Sequence, residues 1–280
     1  MNPADHDPAL VALADELLAR RGGGGGGGDG RRERGVDVGR DRAEGAPLTV
    51  GIVGSVAVGK STFADALARQ LVARAATTPP LTVEVIVTDA FLLSNDRMAP
   101  LGGAMGKGYP ESYDWDALAS FLADAVTGAP VLSTPIYSHE TFDVVPGERH
   151  EFARPDVLIV EGLNLLQTAP ADVDGVDAGW SPADHLAHTI YVHAPATHIE
   201  QWFVDRFVAL ARPADGEPSD FYAMFAGMAD DELDAVARWT WSEINAPNLR
   251  DHIAPTRDRA HVVVHKGADH RIVDVERRTS

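Results

Sequence analysis

The residues best suited to chemistry are gathered in one stretch, Gly54-Ser55-Val56-Ala57-Val58-Gly59-Lys60-Ser61, with Thr62 directly after it. The stretch matches G-x-x-x-x-G-K-[ST], with an apolar run (LTVGIVG) before it and a helix-forming run (STFADALARQLVAR) behind. Two glycines let the backbone wrap a phosphate chain, and successive N–H groups then converge on its oxygens at a helix N-terminus. In such a loop Lys60 neutralises the terminal phosphates and the Ser61 hydroxyl ligates Mg²⁺. The pattern predicts a nucleotide phosphate site.

Two carboxylates stand where they could serve that site. Asp89 ends VEVIVTD and Glu161 lies near the end of DVLIVEG, and strand ends in open α/β sheets face the ligand crevice. Asp89 could accept the proton of an acceptor hydroxyl; a helix cap or a metal ligand is the other role open to it. Glu161 could hold Mg²⁺ through water, share the base's work, or be a structural acid. No lysine follows an asparagine, so the guanine-reading N-K-x-D is absent, and VLIVEG lacks the Asp or Asp-Glu ending of motor-type ATPases. A small-molecule kinase fits better. Arg206, in ATHIEQWFVDRFVALAR, is either a lid arginine for the transferred phosphate or a solvent residue on a helix whose apolar face is Phe203, Phe207 and Leu210. His139, in PIYSHE, is ambiguous in the same way, and His185 and His188 read as surface residues. Of 24 basic residues only Lys60, Lys107 and Lys266 are lysines. Lys107 and Lys266 lie in glycine-flanked turns, by function or by chance.

The elements that must position these residues follow from periodicity. Apolar runs at 48–54, 81–89, 156–162, 188–194 and 261–266 alternate with helical patterns at 60–75, 115–127, 196–211 and 230–244. This predicts an α/β P-loop fold, a mainly parallel central sheet flanked by helices on both faces. The glycine-rich 94–114 stretch reads as a functional loop. Residues 1–21 hold a short amphipathic helix, over 8–21, capped by Asp7. Residues 22–46, seven glycines and then a charged stretch, read as a flexible linker. The kinase domain is expected over 47–280.

Composition narrows the function classes. The 280 residues are 45% apolar and carry a net charge of −18, which disfavours nucleic acid as a partner. No apolar run approaches membrane-spanning length. With no cysteine, thiolate metal sites and disulfides are excluded. The acidic N-terminus lacks the pattern of a secretory signal, which points to a cytoplasmic protein.

GSVAVGKST, TDAFL, KGYPESYD, PIYSHE, DVLIVEGLNLLQ, QWFVDRF, EINAPNLRDHIAPTR and HKGADH, in that order, resemble the prokaryotic type I pantothenate kinase family over roughly 47–280. The resemblance implies a homodimeric P-loop kinase that phosphorylates pantothenate from ATP with Mg²⁺, the first step of coenzyme A synthesis. It implies phosphate and metal binding by the loop, Lys60 and Ser61, with Asp89 as the base. Tyr137, His139 and Asn245 would hold pantothenate, Arg206 the phosphates, and Lys266 and His270 would border the adenine.

The departures from the family pattern are local. Ala90 replaces a glycine, Glu140 and Phe142 alter the Y-S-H-L-x-Y-D pattern, and Phe203 replaces a pantothenate-binding tyrosine. Asp65 replaces a basic residue that supports binding of the inhibitor coenzyme A, and Leu210 replaces an aromatic near the inhibitor's thiol end. Weak or absent feedback inhibition is therefore expected. The linker also stands where the family has a longer folded segment that helps close the nucleotide site. The altered pocket leaves open a kinase for another alcohol, such as a nucleoside or a pantothenate-like acid; a third reading is a non-catalytic ATP-binding paralogue, against which the retained Lys60, Ser61, Asp89, Glu161 and Arg206 argue.

Overall fold

The computed structural model describes residues 7–22, 43, 45–170, 179–213 and 218–278. Its elements are, in chain order, α1 (Pro8–Gly22), β1 (Leu48–Val53), α2 (Lys60–Arg74), β2 (Val83–Val87), α3 (Asn95–Met98), α4 (Trp115–Thr127), β3 (Val131–Ser138), β4 (Asp143–Ala153), β5 (Val157–Gly162), β6 (His188–His193), α5 (Ala196–Ala211), α6 (Asp220–Ala223), α7 (Asp230–Thr240), α8 (Ala246–Asn248), β7 (Val262–Lys266) and β8 (Ile272–Arg277). The main sheet has the order β2-β5-β1-β6-β7-β8, parallel except for β8. β1 and β5 are buried along their whole length, because their runs are apolar toward both faces. Register places Val53 opposite Gly162 and Tyr191, and Val87 opposite Glu161. The carboxyl ends of β1, β2, β5 and β6 thus lie together at one edge of the sheet.

Each face of the sheet carries its own apolar core. On one, α1 and α2 pack Leu10, Leu13, Ala14 and Leu17 with Leu67, Leu71 and the strand residues Val50 and Ile52. On the other, Leu118, Phe121 and Leu122 of α4 cover Leu158 and Val160. Asp7 caps α1, accepting from the Ala9 N–H at 2.9 Å. Three ion pairs fasten the helix: Arg74–Asp15 and Arg277–Glu16, both at 2.6 Å, and Arg21–Asp156. The linker expected over 22–46 lies almost wholly outside the described residues.

Several elements depart from the pattern reading. The strand expected over 81–89 pairs only from Val83 to Val87, and Thr88–Phe91 turn instead as a 3-10 helix. β3 and β4 form a separate antiparallel hairpin that periodicity missed, since much of β4 is solvent-facing on both sides and shows no apolar alternation. The helix expected over 230–244 leaves α geometry at Thr240 and continues as π-turns over Trp241–Asn245 and Leu249–Ile253. Leu210 is 38% exposed, while Trp202 is buried, so the inward face of α5 runs through Ile199, Trp202, Val204 and Phe207. His188 is buried rather than on the surface, and half-buried His185 accepts from Trp180 Nε1 at 3.0 Å. No helix among the described residues is long and apolar enough to cross a membrane.

Candidate active site

The loop between β1 and α2 has the shape its glycines permit. A Cβ on Gly54 would stand 2.5 Å from the Val192 carbonyl oxygen, and Gly59 is left-handed at φ 86°. Ala57 also takes a positive φ of 60° between the half-buried Val56 and the buried Val58. Lys60 Nζ donates to the Ser55 carbonyl at 3.0 Å, folding back over the loop. The Ser55 hydroxyl is buried without a partner, a polar atom suited to a phosphate oxygen. Exposed Thr62 follows on the first turn of α2.

Three charged side chains act on Lys60. Burial lowers its ammonium below the ordinary lysine value, Glu161 and Asp89 push it back up, and Arg206 adds to the lowering. Four side chains from α2, β5, the turn after β2 and α5 therefore share one electrostatic neighbourhood. Ser61 Oγ donates to Glu161 Oε1 at 2.6 Å, with Glu161 buried at the end of β5. This pair suits Mg²⁺, a hard cation that takes one or two protein oxygens alongside nucleotide phosphates.

A second cluster is assembled from distant segments. Tyr137 of β3 meets His139 edge-on at 5.2 Å and lies under Lys107 Nζ at 5.3 Å. Burial pushes its phenol above the tyrosine range, with Asp89, Asp143 and Tyr222 adding to the shift. Lys107 donates to the Phe142 carbonyl at 2.7 Å and to Asp143 at 3.4 Å. Burial lowers its ammonium, and Asp143 and Asp89 oppose that. Sequence reasoning gave Lys107 no role; its survival as lysine in an arginine-rich chain was the available signal.

Two other groupings hold the remaining expected site residues. Lys266 Nζ donates to the Val58 carbonyl at 2.9 Å and sits 5.6 Å over the Trp202 ring, against which His270 stacks at 4.1 Å. Lys266 and His270 are thus brought to the loop, with Trp202 as an unanticipated third member. Asn245, in the first π-turn, donates to the Thr240 carbonyl at 3.3 Å, and Phe203 packs near Phe207 and Trp241. Neither contact ties Asn245 or Phe203 to the Asp89 cluster. The Tyr109 hydroxyl, donating to the Ile244 carbonyl at 2.9 Å, anchors the glycine-rich loop to that π-turn.

This arrangement has relatives. The phosphoribulokinase/uridine kinase family matches residues 49–171. The chain is 43% identical over 235 residues to a pantothenate kinase of Brevibacillus brevis, covering 83% of this chain and 72% of that protein. It is 41% identical over 247 residues to a pantothenate kinase of a Chelativorans species, covering 88% and 76%. In fold it resembles the D-glycerate 3-kinase of Cryptococcus neoformans, with a TM-score of 0.63 at 15% identity over 97% of this chain and 99% of the other. Identity of this extent, carried on a P-loop whose lysine faces two strand-end carboxylates, places the chain in the bacterial type I pantothenate kinase family.

Proposed function

We infer that this protein transfers the terminal phosphoryl group of ATP to the hydroxyl of pantothenate. The observation that carries this reading is the meeting of Lys60, Ser61, Asp89 and Glu161 at three neighbouring strand ends, in a chain 43% identical to a pantothenate kinase. Lys60 and the loop N–H groups hold the phosphates, and Asp89 takes the proton as the acceptor oxygen attacks. Arg206, exposed on α5, reaches the transferred phosphate, and Lys266 and His270 border the base. Tyr137, His139 and Asn245 bind the acceptor, with Phe203 on its apolar side. Ser61 and Glu161 hold Mg²⁺, which when bound neutralises charge developing on the phosphate oxygens.

A second reading, another acceptor alcohol, is favoured by one feature. Phe142 stacks on Phe221 at 4.5 Å, closing the hairpin tip onto α6 with an apolar pair that offers no hydroxyl. The family resemblance also supports a homodimer, a cytoplasmic location and weak inhibition by coenzyme A. Asp65 and Leu210, both exposed, underlie the last of these. The test is purified protein with Mg-ATP and pantothenate, read by mass spectrometry for phosphopantothenate and ADP. Phosphorylation of a nucleoside but not of pantothenate would replace the first reading with the second. Inhibition by low-micromolar coenzyme A with ATP near its KM would overturn the feedback proposal.

A further inference from the structure

The turn that carries Asp89 is clamped by the segment 109–114. Leu92 and Tyr113 pair as an antiparallel bridge, the Leu93 N–H donates to the Ser112 carbonyl at 2.8 Å, and the Asp114 N–H donates to the Phe91 carbonyl at 2.7 Å. Trp115 Nε1 donates to the Pro110 carbonyl at 2.7 Å, and the Tyr113 ring meets Trp115 edge-on at 6.0 Å. Tyr113 is therefore held rigidly against the Asp89 turn, and it is buried. Yet neither its hydroxyl nor that of fully buried Thr88, next to Asp89 in sequence, reaches a partner at normal hydrogen-bond geometry.

Two orphaned hydroxyls beside a candidate base are costly for packing alone, where phenylalanine and valine would serve better. The β5 backbone presses on Thr88, since a Cβ on Gly162 would overlap the Thr88 hydroxyl. Burial drives the Tyr113 phenol well above its ordinary value, Asp89 adds to this, the Thr88 hydroxyl works the other way, and Glu161 adds again. The phenol thus stays protonated, a donor within electrostatic reach of Asp89 and Glu161. Hydrogen bonds at such sites commonly tighten only when ligands are in place.

We propose that Tyr113 is a positioning residue for phosphoryl transfer: its hydroxyl, backed by that of Thr88, donates to the Asp89 carboxylate in the nucleotide-loaded site and fixes which carboxylate oxygen meets the acceptor hydroxyl. The proposal rests on the reading of Asp89 as the base. It concerns a side chain that need not touch the acceptor.

Tyr113→Phe keeps the ring and removes only the donor. Its kcat should fall roughly 10- to 100-fold, the range for losing a hydrogen bond to a charged group, with the dissociation constant of Mg-ATP and the Tm close to wild type. Thr88→Ser should stay within about threefold of wild-type kcat while Thr88→Val loses about tenfold, and this pair carries the test if Tyr113→Phe does not fold. A Tyr113→Phe kcat within about twofold of wild type, or a loss matched by weaker ATP binding or a lower Tm, would overturn the proposal. A second arm needs no turnover. Protein labelled with carbon-13 aspartate and loaded with Mg²⁺ and a non-hydrolysable ATP analogue, with Asp89→Asn assigning the resonance, should show the Asp89 carboxyl signal moved in Tyr113→Phe. An unmoved signal refutes Tyr113's role, whereas wild-type protein inert toward pantothenate would refute the acceptor reading instead.

Discussion

At the carboxyl edge of the main sheet Ser55, Thr88 and Tyr113 bury hydroxyls that meet no partner, around a cluster of mixed charges. At the amino edge of the same strands the polar groups are largely paired. Asp156, at the start of β5, accepts from the Thr82 N–H and Oγ1 at 2.9 Å each and from Arg21, while Thr49 Oγ1 donates to the His185 carbonyl at 2.9 Å. His188 is the exception, buried with both ring nitrogens unpaired beside His261. One edge keeps bonding capacity for ligands, at a cost to stability; the other, with α1 bolted on, recovers it.

Substitutions should therefore separate turnover from stability according to the edge they touch. The largest expected effects are catalytic. Lys60→Ala and Asp89→Asn should each lower kcat by about 10²–10³-fold or more, with little change in Tm. Asp89→Asn should leave Mg-ATP binding within about twofold by calorimetry; equal loss of binding and turnover would recast Asp89 as a metal or structural residue. At the opposite edge Leu13→Ala, in the fully buried face of α1, should cost about 2–5 kcal/mol in urea unfolding while leaving kcat per folded molecule unchanged.

Acid should act through the amino edge as well. Burial lowers the His188 pKa to about 3, with His261 and Arg20 adding to the effect, and burial lowers His261 too. The folded chain then binds fewer protons than the unfolded one between about pH 3 and 6.5. The stability held above the unfolded pKa is accordingly lost as pH falls through that window. At pH 5 the loss from His188 should be about 2 kcal/mol, read as a Tm decrease between pH 7 and pH 5 that His188→Phe reduces. An unchanged decrease would put the acid sensitivity elsewhere. The smallest effect belongs to Arg277→Ala, which breaks a half-exposed pair with Glu16 and should cost under about 1 kcal/mol.

How much of this could be read beforehand depends on how local each feature is. The phosphate loop was legible because its glycines, lysine and serine are contiguous and their spacing is the mechanism. The parallel strands were legible because strands buried on both faces are written as unbroken apolar runs. Hairpin β3–β4 was not, since its exposed residues follow no burial period. Nor were the π-turns after Thr240, which differ from α-helix by one residue of hydrogen-bond spacing and leave no compositional mark. His188 read as polar and hence exposed, although the HTIYVH strand buries it, and Lys107 and Tyr113 lie in KGYPESYD, a motif to which the sequence reading attached no role for either.

Sequence alone therefore determined the phosphate loop, the strand order of appearance and the two carboxylates at or just past strand ends, because in each case neighbouring residues act together. Tertiary structure decided what surrounds Asp89 and Lys60. There Asp89, Lys107 with Tyr113, Tyr137 and Arg206 come from four separate segments, and chain spacing carries no information about which side chains burial and sheet register bring within electrostatic reach of one another.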